Sequence, residues 1–140
     1  LDVAINSDAD GIHIGQHDAN PVFVREKIGN TKIMGVSVQT PEQAVYAQKN
    51  GADYLGVGSV FTTTTKADAS AVSLYTLKEI CNCVSIPVCA IGGININNIN
   101  MLAETGINGV ALVSAVFAQN DIMKASSNLY SISKKLFNKN

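Results

Sequence analysis

The sequence predicts an α/β fold of the (β/α)8 barrel class, present here as five consecutive strand and helix units. Three observations predict it. One pattern recurs three times, as Ala9-Asp10-Gly11-Ile12-His13-Ile14-Gly15, Ala52-Asp53-Tyr54-Leu55-Gly56-Val57-Gly58 and Ile107-Asn108-Gly109-Val110-Ala111-Leu112-Val113. Each copy reads as a helix end that turns at Asp or Asn into an apolar strand covered on both faces. Two further apolar runs, residues 33–38 and 86–91, bring the candidate strands to five. The connections are too long for hairpins, which implies parallel pairing through right-handed crossovers. Finally, polar residues with chemical potential follow nearly every strand. This favours a closed barrel over the open doubly wound sheet that five units would also fit.

Local signals justify the elements in order. The chain opens Leu1-Asp2-Val3-Ala4-Ile5, without Met and inside an expected amphipathic helix, which implies lost upstream sequence. Asn20-Pro21 and Thr40-Pro41 each set a capping side chain before a proline at the first helical position, and Thr40 with Gln43 fits a capping box. Ser73 and Asn95 are the expected N-caps of the next two helices. Gly51 and Gly106 stand where a left-handed C-cap is wanted. Barrels of this class need about 200 residues or more. Five units in 140 residues therefore read as the last five of eight, forming a single domain over residues 1–140.

Composition narrows the functional classes. A chain 46% hydrophobic and 15% charged has the makings of a folded core, which excludes a disordered segment. Ten basic and eleven acidic residues, spread along the chain for a net charge of -1, provide neither a field for nucleic acid nor a polybasic membrane patch. No apolar run approaches the ~20 residues that span a bilayer. The expectations are small-molecule partners and a cytoplasmic location. Cys81, Cys83 and Cys89 have no framework spacing and read as reduced, packed thiols.

The strand ends carry the candidate chemistry. Asp18, in Gly15-Gln16-His17-Asp18, is either a turn aspartate before Pro21 or a ligand for a hard cation, since magnesium takes one or two carboxylates beside water and substrate oxygens. His13 and His17 lie four apart on a strand running into a loop, so they do not form the helical pair a zinc site would use. His13 is expected to face the barrel interior or to pack, and His17 to sit on a surface loop. Ser37 places a hydroxyl after the second strand, where it could equally cap the next helix. Thr62 to Thr65 and Lys66 gather hydroxyls and one positive charge in a long loop, the groups a phosphate requires, although a threonine tract can also be a plain loop. Gly92-Gly93 leads from a buried strand to the expected helix at Asn95, whose N-terminus would favour an anion. Val113-Ser114 ends the last strand, and the two loops together match the usual phosphate site of such barrels.

These motifs, in this order and spacing, resemble the thiamine phosphate synthase family over essentially the whole chain: Gly11-Ile12-His13-Ile14-Gly15-Gln16-His17-Asp18, Gly35-Val36-Ser37, the segment at residues 51–58, Thr63-Thr64-Thr65-Lys66 and Ile91-Gly92-Gly93-Ile94. The resemblance implies a transferase that joins aminomethylpyrimidine methyl diphosphate to methylthiazole ethyl phosphate. It assigns Asp18 to magnesium, Ser37 and Lys66 to the pyrimidine diphosphate, with Lys66 catalytic, and Thr63, Thr65, Gly93, Val113 and Ser114 to the thiazole phosphate. Thr62 departs from the family's usual proline, and residues 67–73 are short and lack glycine. The family's first three strands, with a second magnesium carboxylate, have no counterpart here. The chain by itself is therefore expected to lack synthase activity, to keep weak thiazole phosphate binding and to self-associate through open sheet edges. A thiazole tautomerase of the same superfamily and a non-catalytic phosphate-binding remnant are the alternatives.

Overall fold

The computed structural model describes residues 1–61 and 72–137. Its elements run α1 (Asp2–Asn6), β1 (Gly11–Ile14), α2 (Pro21–Ile28), β2 (Ile33–Val38), α3 (Pro41–Lys49), β3 (Tyr54–Val57), α4 (Leu74–Cys83), β4 (Val88–Ile91), a 3-10 turn (Ile99–Leu102), β5 (Gly109–Ala111), α5 (Ser114–Phe117) and α6 (Ile122–Phe137). The five strands form one parallel sheet in the order β1-β2-β3-β4-β5. Sequential parallel order sends every strand's C-terminal end to the same edge. Asp18, Ser37 at the end of β2, Gly93 and Ser114 at the start of α5 therefore share one end of the sheet.

The helix starts follow from their caps. Asn20 Oδ1 accepts from the Val22 N–H at 2.9 Å, Thr40 Oγ1 from Gln43 at 3.3 Å, and Ser73 Oγ from Thr76 at 3.0 Å. Gln43 reaches back to the Gln39 N–H at 2.8 Å, one residue beyond the Thr40 N–H that a strict capping box would use. Gly51 and Gly106 adopt φ of 86° and 90°, the left-handed conformation expected of them. The opening helix α1 forms but buries no residue, so its amphipathic character finds no partner here.

Alternation along the strands divides the sheet into two unlike faces. Met34, Val36, Val38, Leu55, Val57, Val88 and Ala90 point to the helix layer and meet Val24, Ala44, Ala47, Leu77 and Ile80. Each such large side chain taken from water contributes roughly 1.5–3 kcal/mol, so this face holds the fold together. The opposite face carries His13, Gly35, Ser37, Tyr54, Gly56 and Cys89, which are small or polar.

Two expectations are corrected. The helix expected from Asn95 is a turn followed by the four-residue 3-10 element, in which Asn98 has no side-chain cap hydrogen bond. Its sequence explains the difference. Asn95 caps the turn, its Oδ1 taking the Asn97 N–H at 2.9 Å and its carbonyl the Ile99 N–H at 3.0 Å, but Asn98 Oδ1 takes the Asn95 N–H at 2.8 Å, and beyond it the backbone closes in i to i+3 bonds, from Met101 to Asn98 at 2.9 Å and from Ala103 to Asn100 at 3.2 Å. The three cysteines are free, but Cys83 is exposed on the last turn of α4 rather than packed.

Candidate active site

The mouth of the sheet has two halves. On the β1 and β2 side, Asp18 is exposed, and its Oδ2 accepts the Gly15 N–H at 2.7 Å, which fixes the carboxylate over its own loop. A carboxylate has about four lone-pair positions, so one hydrogen bond leaves room for a hard cation. Asp18 therefore fits a magnesium ion that keeps most of its ligands from water and substrate. Among the described residues no cluster of three or more His, Cys, Asp or Glu forms a closed metal cage.

Ser37, next to last in β2, is held by the end of β1 from two directions. Its Oγ lies 2.8 Å from His13 Nε2, and its carbonyl accepts from Gln16 Nε2 at 2.6 Å. His13 Nδ1 in turn lies 2.9 Å from the Tyr54 hydroxyl. The two rings are tilted by 42° with centroids 5.4 Å apart. Gly35 and Gly56 make this packing possible: a Cβ at Gly35 would fall on the Tyr54 and His13 rings, and one at Gly56 would meet His13 Cε1. Burial, with a smaller effect from Cys89, raises the Tyr54 phenol above its ordinary pKa, and burial likewise raises the Cys89 thiol.

On the β4 and β5 side, Gly92 and Gly93 adopt φ of 98° and 65°. The Gly93 carbonyl accepts from Asn98 Nδ2 at 2.9 Å and Asn95 Nδ2 at 3.2 Å, so this loop is set by side-chain amides and not by a helix. The helix-dipole assistance expected for an anion here is absent, because the 3-10 element has four residues. What the loop can offer is its backbone N–H groups. Val113 is exposed and precedes α5, which begins at Ser114. Gly93 and Ser114 line one cleft of about 690 Å³, together with Asn95, Gln119, Asp121 and Lys124.

The two halves are bridged at β3. The Val60 N–H donates to the Ile91 carbonyl at 3.0 Å and the Phe61 N–H to Gly92 at 3.1 Å, while Val72 returns to the Ser59 carbonyl at 2.7 Å. The segment leaving β3 is thus anchored beside Gly92 at both its described ends. Thr63, Thr65 and Lys66 fall between them and lie outside the described residues. His13, Gln16, Tyr54 and Lys124 are additions that sequence reasoning left without a role. The signal for His13 and Tyr54 was the run of polar and glycine positions at every second strand residue, readable only once the register is known, whereas Gln16 lies in the turn after β1.

The model of the family described as thiamine monophosphate synthase matches residues 1–116. This chain belongs to that family. It is 51% identical over 129 residues to the thiamine-phosphate synthase of Clostridium tetani, covering 92% of this chain and 62% of the relative. To that of Ruminiclostridium cellulolyticum it is 52% identical over 132 residues, covering 94% and 63%. The solved thiamine phosphate pyrophosphorylase of Pyrococcus furiosus superposes with a TM-score of 0.86 at 43% identity, over 96% of this chain and 64% of that one. The chain thus spans a little under two thirds of the length of these family members. They carry the synthase name and not that of the tautomerase. Among the described residues no helix is long and apolar enough to cross a membrane.

Proposed function

We propose that this chain supplies the substrate-binding mouth of a cytoplasmic, magnesium-dependent transferase that joins aminomethylpyrimidine methyl diphosphate to methylthiazole ethyl phosphate, giving thiamine phosphate and diphosphate. The observation that carries the reading is the convergence of Asp18, Ser37, Gly93 and Ser114 on one end of a sheet whose sequence is about half identical to proteins named for that synthesis.

The chemistry needs little from side chains beyond position and charge. The bond from the pyrimidine methylene carbon to the diphosphate oxygen breaks, and the diphosphate leaves with the electron pair. The thiazole nitrogen then gives its lone pair to that carbon and becomes quaternary. No proton moves, so no general base is required, and catalysis rests on orientation and on stabilising the leaving group. Asp18 would hold a magnesium ion, which supplies positive charge to the diphosphate when bound. Ser37 donates a hydrogen bond to the same diphosphate, and Lys66 adds a cation to it as the bond breaks. Thr63, Thr65 and the N–H groups around Gly93, Val113 and Ser114 hold the thiazole phosphate. The thiazole nitrogen is thereby aimed across the mouth at the carbon held on the β1 and β2 side.

A chimera tests the reading. This chain, grafted in place of the matching segment of the Clostridium tetani relative, is expected to form thiamine phosphate from the two substrates and magnesium. A folded chimera that binds both substrates without forming product contradicts it.

A further inference from the structure

We propose that His13 is a positioning residue, held by Tyr54 in the tautomer that turns the Ser37 hydroxyl outward as a donor to an anionic ligand. The inference rests on reading Ser37 as a diphosphate contact. A serine hydroxyl has one proton, and His13 Nε2 sits 2.8 Å from its oxygen. If the serine donated to Nε2, its proton would be spent on the ring and only lone pairs would face the ligand, which repels phosphate oxygens. If Nε2 carries the proton, it donates to Ser37 Oγ, and the serine proton is free to point at the ligand.

The tautomer is set at the other nitrogen. With Nε2 protonated, Nδ1 is an acceptor, and the Tyr54 hydroxyl 2.9 Å away donates to it. A phenol suits this part because its oxygen lone pair is drawn into the ring, making it a better donor than acceptor. Burial raises the Tyr54 pKa, which keeps that proton in place. The chain of donors therefore runs one way, from Tyr54 through His13 to Ser37 and out to the anion, and each bond polarises the next. The remaining geometry serves the same end. Gln16 pins the Ser37 carbonyl at 2.6 Å, so the side chain turns on a fixed backbone. Gly35 and Gly56 leave the floor bare under the two rings, where any Cβ would push the imidazole out of line. No step of the proposed reaction needs the proton of His13, so the ring acts through Ser37 and not on the substrate.

The test uses the chimera with inorganic diphosphate and magnesium as probe. The ¹⁵N shifts of the His13 imidazole, assigned apart from those of the other histidines, are expected to show Nε2 protonated with diphosphate bound, and Tyr54→Phe to shift the ring toward a mixture of tautomers. Calorimetry should find diphosphate binding weakened about 10-fold by His13→Ala and roughly 3- to 10-fold by Tyr54→Phe, the range for losing one hydrogen bond. His13→Gln, which keeps an amide donor toward Ser37, should recover most of the loss. The deciding arm is the cycle with Ser37→Ala: if His13 acts through Ser37, adding His13→Ala to that background costs no further affinity. An Nδ1-protonated ring in the complex, or full additivity of the two alanine variants, overturns the positioning role. Failure of the unchanged chimera to bind diphosphate overturns the anion-donor assignment and, separately, the diphosphate subsite of the synthase reading.

Discussion

The two ends of the sheet use charge in opposite ways. At the N-terminal end of the strands Arg25 spends its whole guanidinium on the protein, donating to the Gly51 carbonyl at 2.5 and 3.1 Å, to Gly29 at 2.7 Å, to Lys32 at 2.8 Å and to Asp53 Oδ2 at 2.7 Å. The same Asp53 oxygen takes the Met34 N–H at 2.7 Å, and Lys32 closes on Asp8 and the Ala9 carbonyl at 2.6 Å each. At the C-terminal end the donors among the described residues are hydroxyls, amides and loop N–H groups, with Lys124 lining the cleft, and Asp18 is tied by one bond to its own loop. One end satisfies its polar groups internally and joins helix, turn and strand. The other keeps capacity for a ligand. That division is the one expected of a (β/α) barrel sheet, with stability at the bottom and chemistry at the top.

Substitutions at the two ends should therefore fail in different currencies. The largest effect belongs to the mouth: Lys66→Ala in the chimera is expected to lower turnover roughly 10²- to 10³-fold, as for loss of one transition-state charge stabiliser, with the melting temperature unchanged. Unchanged turnover would remove Lys66 from the mechanism. At the other end, Arg25→Ala strips partners from three carbonyls and a half-buried carboxylate, and should destabilise the fold by about 2–3 kcal/mol in a urea titration. Diphosphate affinity of the fraction that remains folded should not move. A loss of affinity without a loss of stability would erase the contrast between the ends.

Ser37→Ala comes next, with diphosphate binding about 10-fold weaker and little change in stability, because its hydroxyl is on the face away from the helix layer. The smallest effect concerns thiols. Burial pushes Cys81 up to about 11, so its thiolate, the reactive form, is scarce at pH 8 and becomes available only as pH rises toward that value. Exposed Cys83 should be alkylated first, as read by mass spectrometry of the peptides. Equal rates at pH 8 would contradict the burial of Cys81.

Much of this molecule was legible in the sequence because its signals are local. The run at residues 33–38 is strand β2, Asn20, Thr40 and Ser73 cap the helices that follow them, and Gly51 and Gly106 take the left-handed conformation. The segment after Gly93 misled for the same reason. Asn95 does cap, through the Asn97 N–H, but the Asn98 side chain ties back to the Asn95 N–H and the Gly93 carbonyl, and the turn tightens into a 3-10 element where a longer helix was expected. The pairing of His13 with Tyr54 and Ser37, and the reach of Arg25 to Gly51 and Asp53, were invisible because they join residues 24 to 41 positions apart. Only the strand register brings them together.

The central claim, that the C-terminal end of the sheet is the ligand-binding end, is tested most directly by amide shift mapping. Methylthiazole ethyl phosphate titrated into the ¹⁵N-labelled chain is expected to move the N–H signals of Gly93, Ile94, Val113 and Ser114. The signals of Gly29, Lys32 and Gly51 around Arg25 should stay in place. Shifts gathered around Arg25, or no saturable shift at Gly93 and Ser114, would contradict the account.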